Sequence, residues 1–288
     1  MKRKLKDVMY QVISLKVLLT YRYYKNFKRL PSFDKPTTFN EKIMNRMITG
    51  NYQALSNLAD KVKVRDYVKQ KIGSQYLVEI YGVFETLKVS DFDRLPKSFV
   101  IKTNHGTGKN HLEIVRDKGD LNLVDVCNKF NRALNDDWYL GTGELFYSKI
   151  QRKILIEEYL IDETGLQTPD DYKFHCFNGE ILIQVDRGRF EDHRRNIYNE
   201  QWELQDTNFY GDSNFPDIPR PKMLQEMLNI ARLLSKDFNY IRVDLYCVNN
   251  KIYFGEMTCT HKSGACKFIP ESEDYAWGNK WTLDKRKV

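Results

Sequence analysis

The spacing of apolar side chains changes several times along the chain, and each change marks an element. Val8, Val12, Leu15 and Leu19 recur at helical spacing among Lys and Arg, which predicts an N-terminal helix. Such a helix either packs on the body or offers a basic amphipathic surface to an anionic membrane or partner. Thr37 or Thr38 caps the next helix, with Glu41 in its first turn. Ala59–Val68 predicts a third, stopped by Gly73. From Tyr76 the pattern becomes that of short strands, Leu77–Tyr81, Ser98–Lys102 and His111–Val115. Residues 120–150 return to helical spacing, with Leu121, Val124, Cys127 and Phe130 on one side. Lys153–Leu160 is an apolar strand that leaves through two acids, Glu157 and Glu158. Asp171–Phe177 and Glu180–Asp186 flank Asn178-Gly179, a strong hairpin signal, and Met223–Leu234 is an amphipathic helix. The order predicts an α+β fold rather than a doubly wound sheet, divided into a basic helical region (1–58), a small lobe (59–155) and a larger lobe (156–288).

The run from Arg242 to Thr258 reads as two strands around a polar turn, with Asp244 and Glu256 inside strands where acids are depleted. Register decides what they do. A two-residue Asn249-Asn250 loop sends the carboxylates to opposite faces. A three-residue loop, Asn249 to Lys251, sets Asp244 opposite Glu256 and Arg242 opposite Thr258. Like charges directly across a ladder repel, and a divalent cation between them would remove that penalty.

Composition narrows the class. The chain has 288 residues, 41% of them hydrophobic, enough for a substantial core. Its net charge of +7 is local: residues 1–30 hold nine Lys/Arg and one acid, whereas the remainder holds 37 basic and 38 acidic side chains. A balanced body argues against nucleic-acid binding by the folded part. Five cysteines without a C-x-x-C pair indicate neither a disulfide framework nor structural zinc, so a reducing cytoplasm is expected. The basic lead is interrupted by Asp7 and Lys16 and no small-residue cleavage site follows, so the protein is expected to be soluble and not secreted.

Three groups of residues carry candidate chemistry. Lys102 ends a strand and is followed by His105, Gly106, Thr107 and Gly108, which bring a cation near free backbone N–H groups, a combination suited to polyphosphate. The loop departs from the Walker pattern, with Thr103 at the first glycine position and Asn110 at the Ser/Thr position; a plain hairpin turn with a surface lysine is the alternative. Glu157 and Glu158 suit ribose hydroxyls beside a backbone edge that holds a base, or form a solvated strand end. Lys173, Arg187, Arg189, Arg194, Arg195 and Arg242 form a cationic group suited to carboxylate or phosphate, unless Asp170 and Asp171 pair with some of them. Asp91-Phe92-Asp93 matches a D-x-D pattern but sits in a polar turn before Pro96, and the five histidines show no metal-ligand spacing.

Taken in order, Asp60-Lys61 with Arg65, Phe-Val-Ile-Lys102 with its glycine loop, Ile-Glu157-Glu158-Tyr-Leu and the Arg242-x-Asp244…Glu256-x-Thr258 hairpin resemble the ATP-grasp superfamily. Ala-Asp-Lys-Val-Lys-Val-Arg and Asp-Asp-Tyr-Lys-Phe-His-Cys-Phe-Asn-Gly look like its TupA-like branch, which occurs in bacterial capsule and surface-polysaccharide biosynthesis. The likeness runs from about Pro36 to Phe268. It implies two α+β lobes clamping ATP, with Lys61, Lys102, Lys173 and the loop His105–Gly108 on the phosphates. Glu157, Glu158, Tyr159 and Leu160 would hold the nucleoside, and Asp244, Glu256 and Thr258 would hold Mg2+. Arg242 would meet the transferring phosphoryl, with Lys262 as a second catalytic candidate. Arg187, Arg189, Arg194 and Arg195 would bind an anionic acceptor. The implied reaction is carboxylate–amine ligation on a uronic-acid sugar nucleotide or glycan with an amine or amino acid. The basic arm would bring the enzyme to the inner face of the membrane or to assembly proteins. A glycosyltransferase of the same pathway and a nucleotide-binding scaffold are the alternatives. Thr258 stands where much of the superfamily has Asn, and His261-Lys262 where a proline-containing turn is usual.

Overall fold

The expected helix start at Thr38 is a reciprocal capping box. The Thr38 hydroxyl accepts from the Glu41 amide at 3.1 Å, and the Glu41 carboxylate accepts from the Thr38 amide at 3.1 Å. The computed structural model describes residues 13–161, 169–188, 193–210, 214 and 216–283. Four helices come first: α1 (Leu15–Phe27), α2 (Phe39–Thr49), α3 (Tyr52–Ala59) and α4 (Val64–Ile72). A four-stranded antiparallel sheet follows from β1 (Ile80–Phe84), β2 (Phe99–Thr103), β3 (Leu112–Val115) and β4 (Ile154–Glu157), in the order β1-β4-β2-β3. Helix α5 (Leu123–Ala133) and the single turn α6 (Tyr139–Thr142) lie between β3 and β4.

A second antiparallel sheet has the order β10-β9-β5-β6-β7, built from β5 (Asp171–Phe177), β6 (Glu180–Arg187), β7 (Arg194–Tyr198), β9 (Tyr240–Val248) and β10 (Lys251–Thr258). Strand β8 (Asn208–Phe209) pairs with β11 (Phe268–Ile269), α7 (Leu224–Ser235) precedes β9, and α8 (Ser272–Lys280) comes last. The fold is α+β, as the sequence order predicts. Among the described residues, no helix is long and apolar enough to cross a membrane.

Alternation along the strands sorts the larger sheet into two unlike faces. Phe174, Ile183, Ile241 and Val243 point into a core closed by Met227, Ala231 and Leu234 of α7 and by Leu55, Val64 and Val68 of α3 and α4. The opposite face is apolar only at its far end, where Phe177, Leu182 and Tyr240 pack beneath α2 and α8. Phe39 is the hub there, edge-on to Tyr240 at 5.0 Å and to Trp277 at 5.6 Å. Such aromatic pairs each add roughly 0.5–1.5 kcal/mol beyond their burial. The near half of that face carries charged side chains instead. In the smaller sheet Phe99, Ile101, Ile154 and Ile156 pack on Phe130 of α5, and the other face looks onto the larger sheet.

Three sequence expectations shift. The strand expected at Leu77–Tyr81 runs from Ile80 to Phe84, because Leu77 bridges to Phe254 and packs with the larger sheet. The helical stretch expected over 120–150 is an α-helix only to Ala133, and the turn after it ends at Gly143, whose φ is +82°. The boundary expected at residue 59 also divides differently in packing: Val64 and Val68 belong to the core of the larger sheet.

Candidate active site

The hairpin of β9 and β10 reaches the same-face arrangement by a route the loop argument did not foresee. Its turn is the two-residue Asn249-Asn250, with φ of 51° and 59°, the sign that tight hairpin turns require. From Lys251↔Val248 to Phe254↔Leu245 the ladder follows that turn; beyond Gly255 it slips by one residue, to Glu256↔Asp244 and Thr258↔Arg242. Gly255 is therefore a β-bulge, and the slip turns Glu256 and Thr258 to the face of Asp244, while Phe254 and Met257 stay in the core. A Cβ on Gly255 would lie 3.0 Å from the Tyr246 ring and 3.1 Å from the Asp244 carbonyl, so the close approach favours glycine.

Arg242 joins the two acids. Its Nε and Nη2 donate to the Asp244 carboxylate at 2.7 Å each, Nη2 donates to Glu256 Oε1 at 2.8 Å, and Nη1 donates to His261 Nδ1 at 3.0 Å. The Thr258 hydroxyl donates to Glu256 Oε1 at 2.8 Å. Burial pushes the Asp244 carboxyl up, against the pull of Arg242 and Lys173. Burial and the neighbouring Arg242 keep His261 neutral, well below the usual histidine range, so its Nδ1 can accept. Among the described residues, no group of three or more His, Cys, Asp or Glu is arranged to hold a metal. The donor set is two carboxylates and a hydroxyl, all hard oxygens, which fits Mg2+ completed by water and phosphate oxygens.

A cleft of about 940 Å3, its mouth included, lies between the sheets beside this hairpin. Lys61, Lys102, Glu157, Glu158, Tyr159 and Leu160 all line it, together with Arg65, Asp171 and Gly255. Register explains the pairing at its centre. Val100 opposes Glu157, so Lys102 sits one diagonal away on the same face and its ammonium binds the Glu157 carboxylate. Val100, Leu112 and Ile114 supply apolar wall. Burial lowers the Lys61 pKa, and its ammonium donates to the Gly106 carbonyl at 2.8 Å.

His105, Gly106, Thr107 and Gly108 do not line the cleft. The loop is strapped from beneath: Gly106 N–H donates to the Thr103 hydroxyl at 3.1 Å, that hydroxyl is 2.8 Å from His111 Nδ1, and Trp138 Nε1 donates to the His105 carbonyl at 3.2 Å. A Cβ on Gly106 would lie 2.0 Å from the His111 ring, so glycine here serves packing. His105 is enclosed, and burial with nearby Arg152 lowers its pKa to about 4.

The cationic group divides. Lys173 is buried between Asp171 and Asp186, and Arg195 also holds Asp186. Arg187 binds Asp170 through two nitrogens. Pairing with Asp170 and Asp171, the alternative weighed from sequence, thus describes Arg187 and Lys173. Arg194 opposes Arg187 on the edge strand β7, and Arg189 lies outside the described residues. Lys262 is exposed, with its ammonium 4.6 Å from the Phe209 ring centre.

Four contributors were missed from sequence. Glu144 joins the site through partners 116 and 119 residues away, Asp186 through neighbouring strands and His261 through Arg242; Arg65 was noted only as part of a motif. Glu144 is buried, its carboxyl pushed up by burial, and it accepts from the hydroxyls of Thr260 and Ser263. It thereby holds a turn in which Lys262 and Ser263 both have positive φ.

Two antiparallel sheets closing on a cleft of cations and strand-borne carboxylates define an ATP-grasp fold. The chain belongs to the TupA-like ATP-grasp family, whose family model matches residues 41–282. Among solved structures it is similar to D-alanine–D-alanine ligase from Helicobacter pylori, at 14% identity over 78% of this chain and 61% of that one, with a TM-score of 0.43. It is also similar to D-alanine–D-alanine ligase from Bacillus anthracis complexed with ATP, at 17% identity over 80% and 63% of the chains, with a TM-score of 0.45. N5-carboxyaminoimidazole synthetase from Staphylococcus aureus complexed with ADP matches at 13% identity over 72% and 45%, with a TM-score of 0.41. The chain thus spans between 45% and 63% of the length of these three. No curated protein sequence matches it.

Proposed function

We propose that the cleft binds ATP and that the protein is an ATP- and Mg2+-dependent carboxylate–amine ligase. In this reading it forms an amide on a uronic-acid sugar or polymer of a bacterial capsule or surface polysaccharide. The observation that carries the proposal is the bulge at Gly255, itself in the cleft wall, which sets Asp244 and Glu256 opposite one another beside Arg242. Support for the nucleotide comes from the cleft walls, where Lys61, Arg65 and Lys102 adjoin Val100, Leu112 and Ile114. Cations beside an apolar slot suit a polyphosphate joined to a planar base.

Asp244, Glu256 and Thr258 would hold Mg2+, which when bound offsets charge growing on phosphoryl oxygens. Arg242 presents its N–H groups to carboxylate oxygens, and the same groups suit the phosphoryl and the tetrahedral oxyanion of amide formation. Lys102 and Lys61 neutralise phosphate charge, and Glu157 to Leu160 hold the nucleoside. Lys173 reaches a phosphate only by exchanging Asp171 or Asp186. Lys262 and Arg194 of β7 are assigned to the acceptor carboxylate, because Arg187 and Arg195 are held by Asp170 and Asp186. The acceptor carboxyl is activated as an acyl phosphate and the amine displaces phosphate, so no nucleophilic Ser or Cys is required.

The test is incubation with ATP, Mg2+, a uronic-acid nucleotide sugar and mixed amines. ADP, phosphate and an amide mass shift are the outcome expected. Nucleoside diphosphate released from the sugar donor without ATP consumption would identify glycosyl transfer instead. Unchanged capsule function in Asp244→Asn and Glu256→Gln variants would identify a scaffold.

A further inference from the structure

Helix α1 has apolar side chains on more of its circumference than its packing uses. Eight of its thirteen residues are Leu, Val, Tyr or Phe. Leu18, Leu19 and Tyr23 are buried, with Leu15 and Phe27 packed around them, so the stripe visible in the sequence at Leu15 and Leu19 is spent on the body; Val8 and Val12 lie outside the described residues. A second stripe faces outward: Val17 is 59% exposed, Tyr21 62% and Tyr24 51%, at spacings that put all three within a ~60° arc of the helix. Leu30, just beyond the helix, is 72% exposed. A surface helix that is apolar on both sides still lacks one of its partners.

We propose that this outward face of α1 docks the protein on an anionic lipid bilayer, with the helix lying in the interface plane. The charges name the partner. Residues 1–30 carry nine Lys/Arg against one acid, while the rest of the chain is balanced. Lys16, Lys25 and Lys28 belong to the helix and its cap, and Lys2, Arg3, Lys4 and Lys6 precede it. Basic side chains around a stripe of Val and Tyr match an interface where tyrosine rings sit at headgroup depth and cations meet anionic lipid. A soluble polyanion would use the same cations but has no use for exposed Val17, Tyr21, Tyr24 and Leu30. A second copy of the chain would bury the apolar stripe but would bring an equal basic surface against it. A bilayer satisfies both features.

The experiment is co-sedimentation of the full chain with phosphatidylcholine vesicles, with and without phosphatidylglycerol. Binding should require the anionic lipid. The V17S/Y21S/Y24S variant, altered only at exposed positions, should bind on the order of tenfold more weakly or worse, with an unchanged melting temperature. The K4E/K6E/K25E variant should lose binding as well, and high salt should weaken the wild type. No binding by the wild type, or equal binding to neutral vesicles, overturns the proposal. Loss in the charge variant with full binding in the apolar one assigns the surface to a polyanion instead. Self-association of the wild type that V17S/Y21S/Y24S abolishes, without vesicle binding, assigns it to a second copy.

Discussion

Two hairpins lie side by side in the larger sheet and solve the same electrostatic problem with different ends. In β5–β6, Asp171 opposes Asp186 and Lys173, two residues along, holds both. In β9–β10, Asp244 opposes Glu256 and Arg242, two residues along, holds both. Each turn is two residues long with positive φ throughout. The first ladder never changes register, and its carboxylates are sealed by Lys173 and Arg195. The second slips at Gly255, and Glu256 stays 43% exposed at the side chain. Opposed acids bridged by a cation form a fully buried clamp in one case, and in the other a pair with one acid, Glu256, open to solvent. A single inserted residue separates the two.

Filling the bulge from the facing strand should erase that difference. One residue inserted between Asp244 and Leu245, opposite Gly255, would make the ladder unbroken and turn Asp244 and Glu256 to the core face, and both ATP turnover and the melting temperature should collapse. Retained ATP consumption in the insertion variant would show that the bulge does not serve chemistry. Next in size, Glu256→Gln should cut turnover about 100-fold or more with little change in stability. Asp186→Asn should do the reverse. It leaves Lys173 and Arg195 buried beside a neutral side chain, at a cost of about 3–5 kcal/mol in denaturant unfolding, with turnover of the folded fraction nearly kept. The same pattern of loss in both variants would break the comparison.

Acid titration probes the sealed clamp alone. Burial raises the Asp186 pKa, but Lys173, His193 and Arg195 more than reverse this and hold it well below the usual carboxylate range. A depressed folded pKa contributes stability fully above about pH 5, and that contribution is lost as pH falls through the unfolded value of about 3.9 and below. Unfolding free energy measured against pH should therefore fall in acid for the wild type and fall less for Lys173→Met. Identical slopes would remove the clamp from the account. The smallest effect belongs to the turns. Asn250→Gly gives the second hairpin the Asn-Gly sequence of the first and should stabilise it by about 0.5 kcal/mol, read from the denaturation midpoint.

The element types and the antiparallel class were legible because alternation and capping are local. Lys61, Lys102 and Glu157–Leu160 were legible as a set, and the structure brings them to one cleft. The outcome at Asp244 and Glu256 was framed as a choice of loop length, whereas the chain uses the shorter loop and corrects the register at a glycine inside the strand, itself a bulge signal. His105 looked available because it adjoins glycines; its enclosure depends on Trp138 and His111 closing over the loop. Glu144 could not be assigned from spacing, since its role depends on partners supplied by tertiary packing, whereas Asp186 follows from the register of its own hairpin, opposite Asp171. Glu144 lies 116 residues from Thr260 in the chain.

Helix α2 is stitched to the last part of the chain. Asn40 exchanges side-chain bonds with the Cys266 backbone at 2.7 and 2.8 Å, its amide donates to Asp274 at 3.0 Å, and Lys42 donates to the carbonyls of Gly278 and Trp281. These partners are 226 to 239 residues apart. During synthesis α2 therefore waits until residues 266–281 have left the ribosome before its inner face is covered. The aromatic cluster around Phe39 can begin on Phe177 and Tyr240 but closes only when Trp277 and Trp281 arrive.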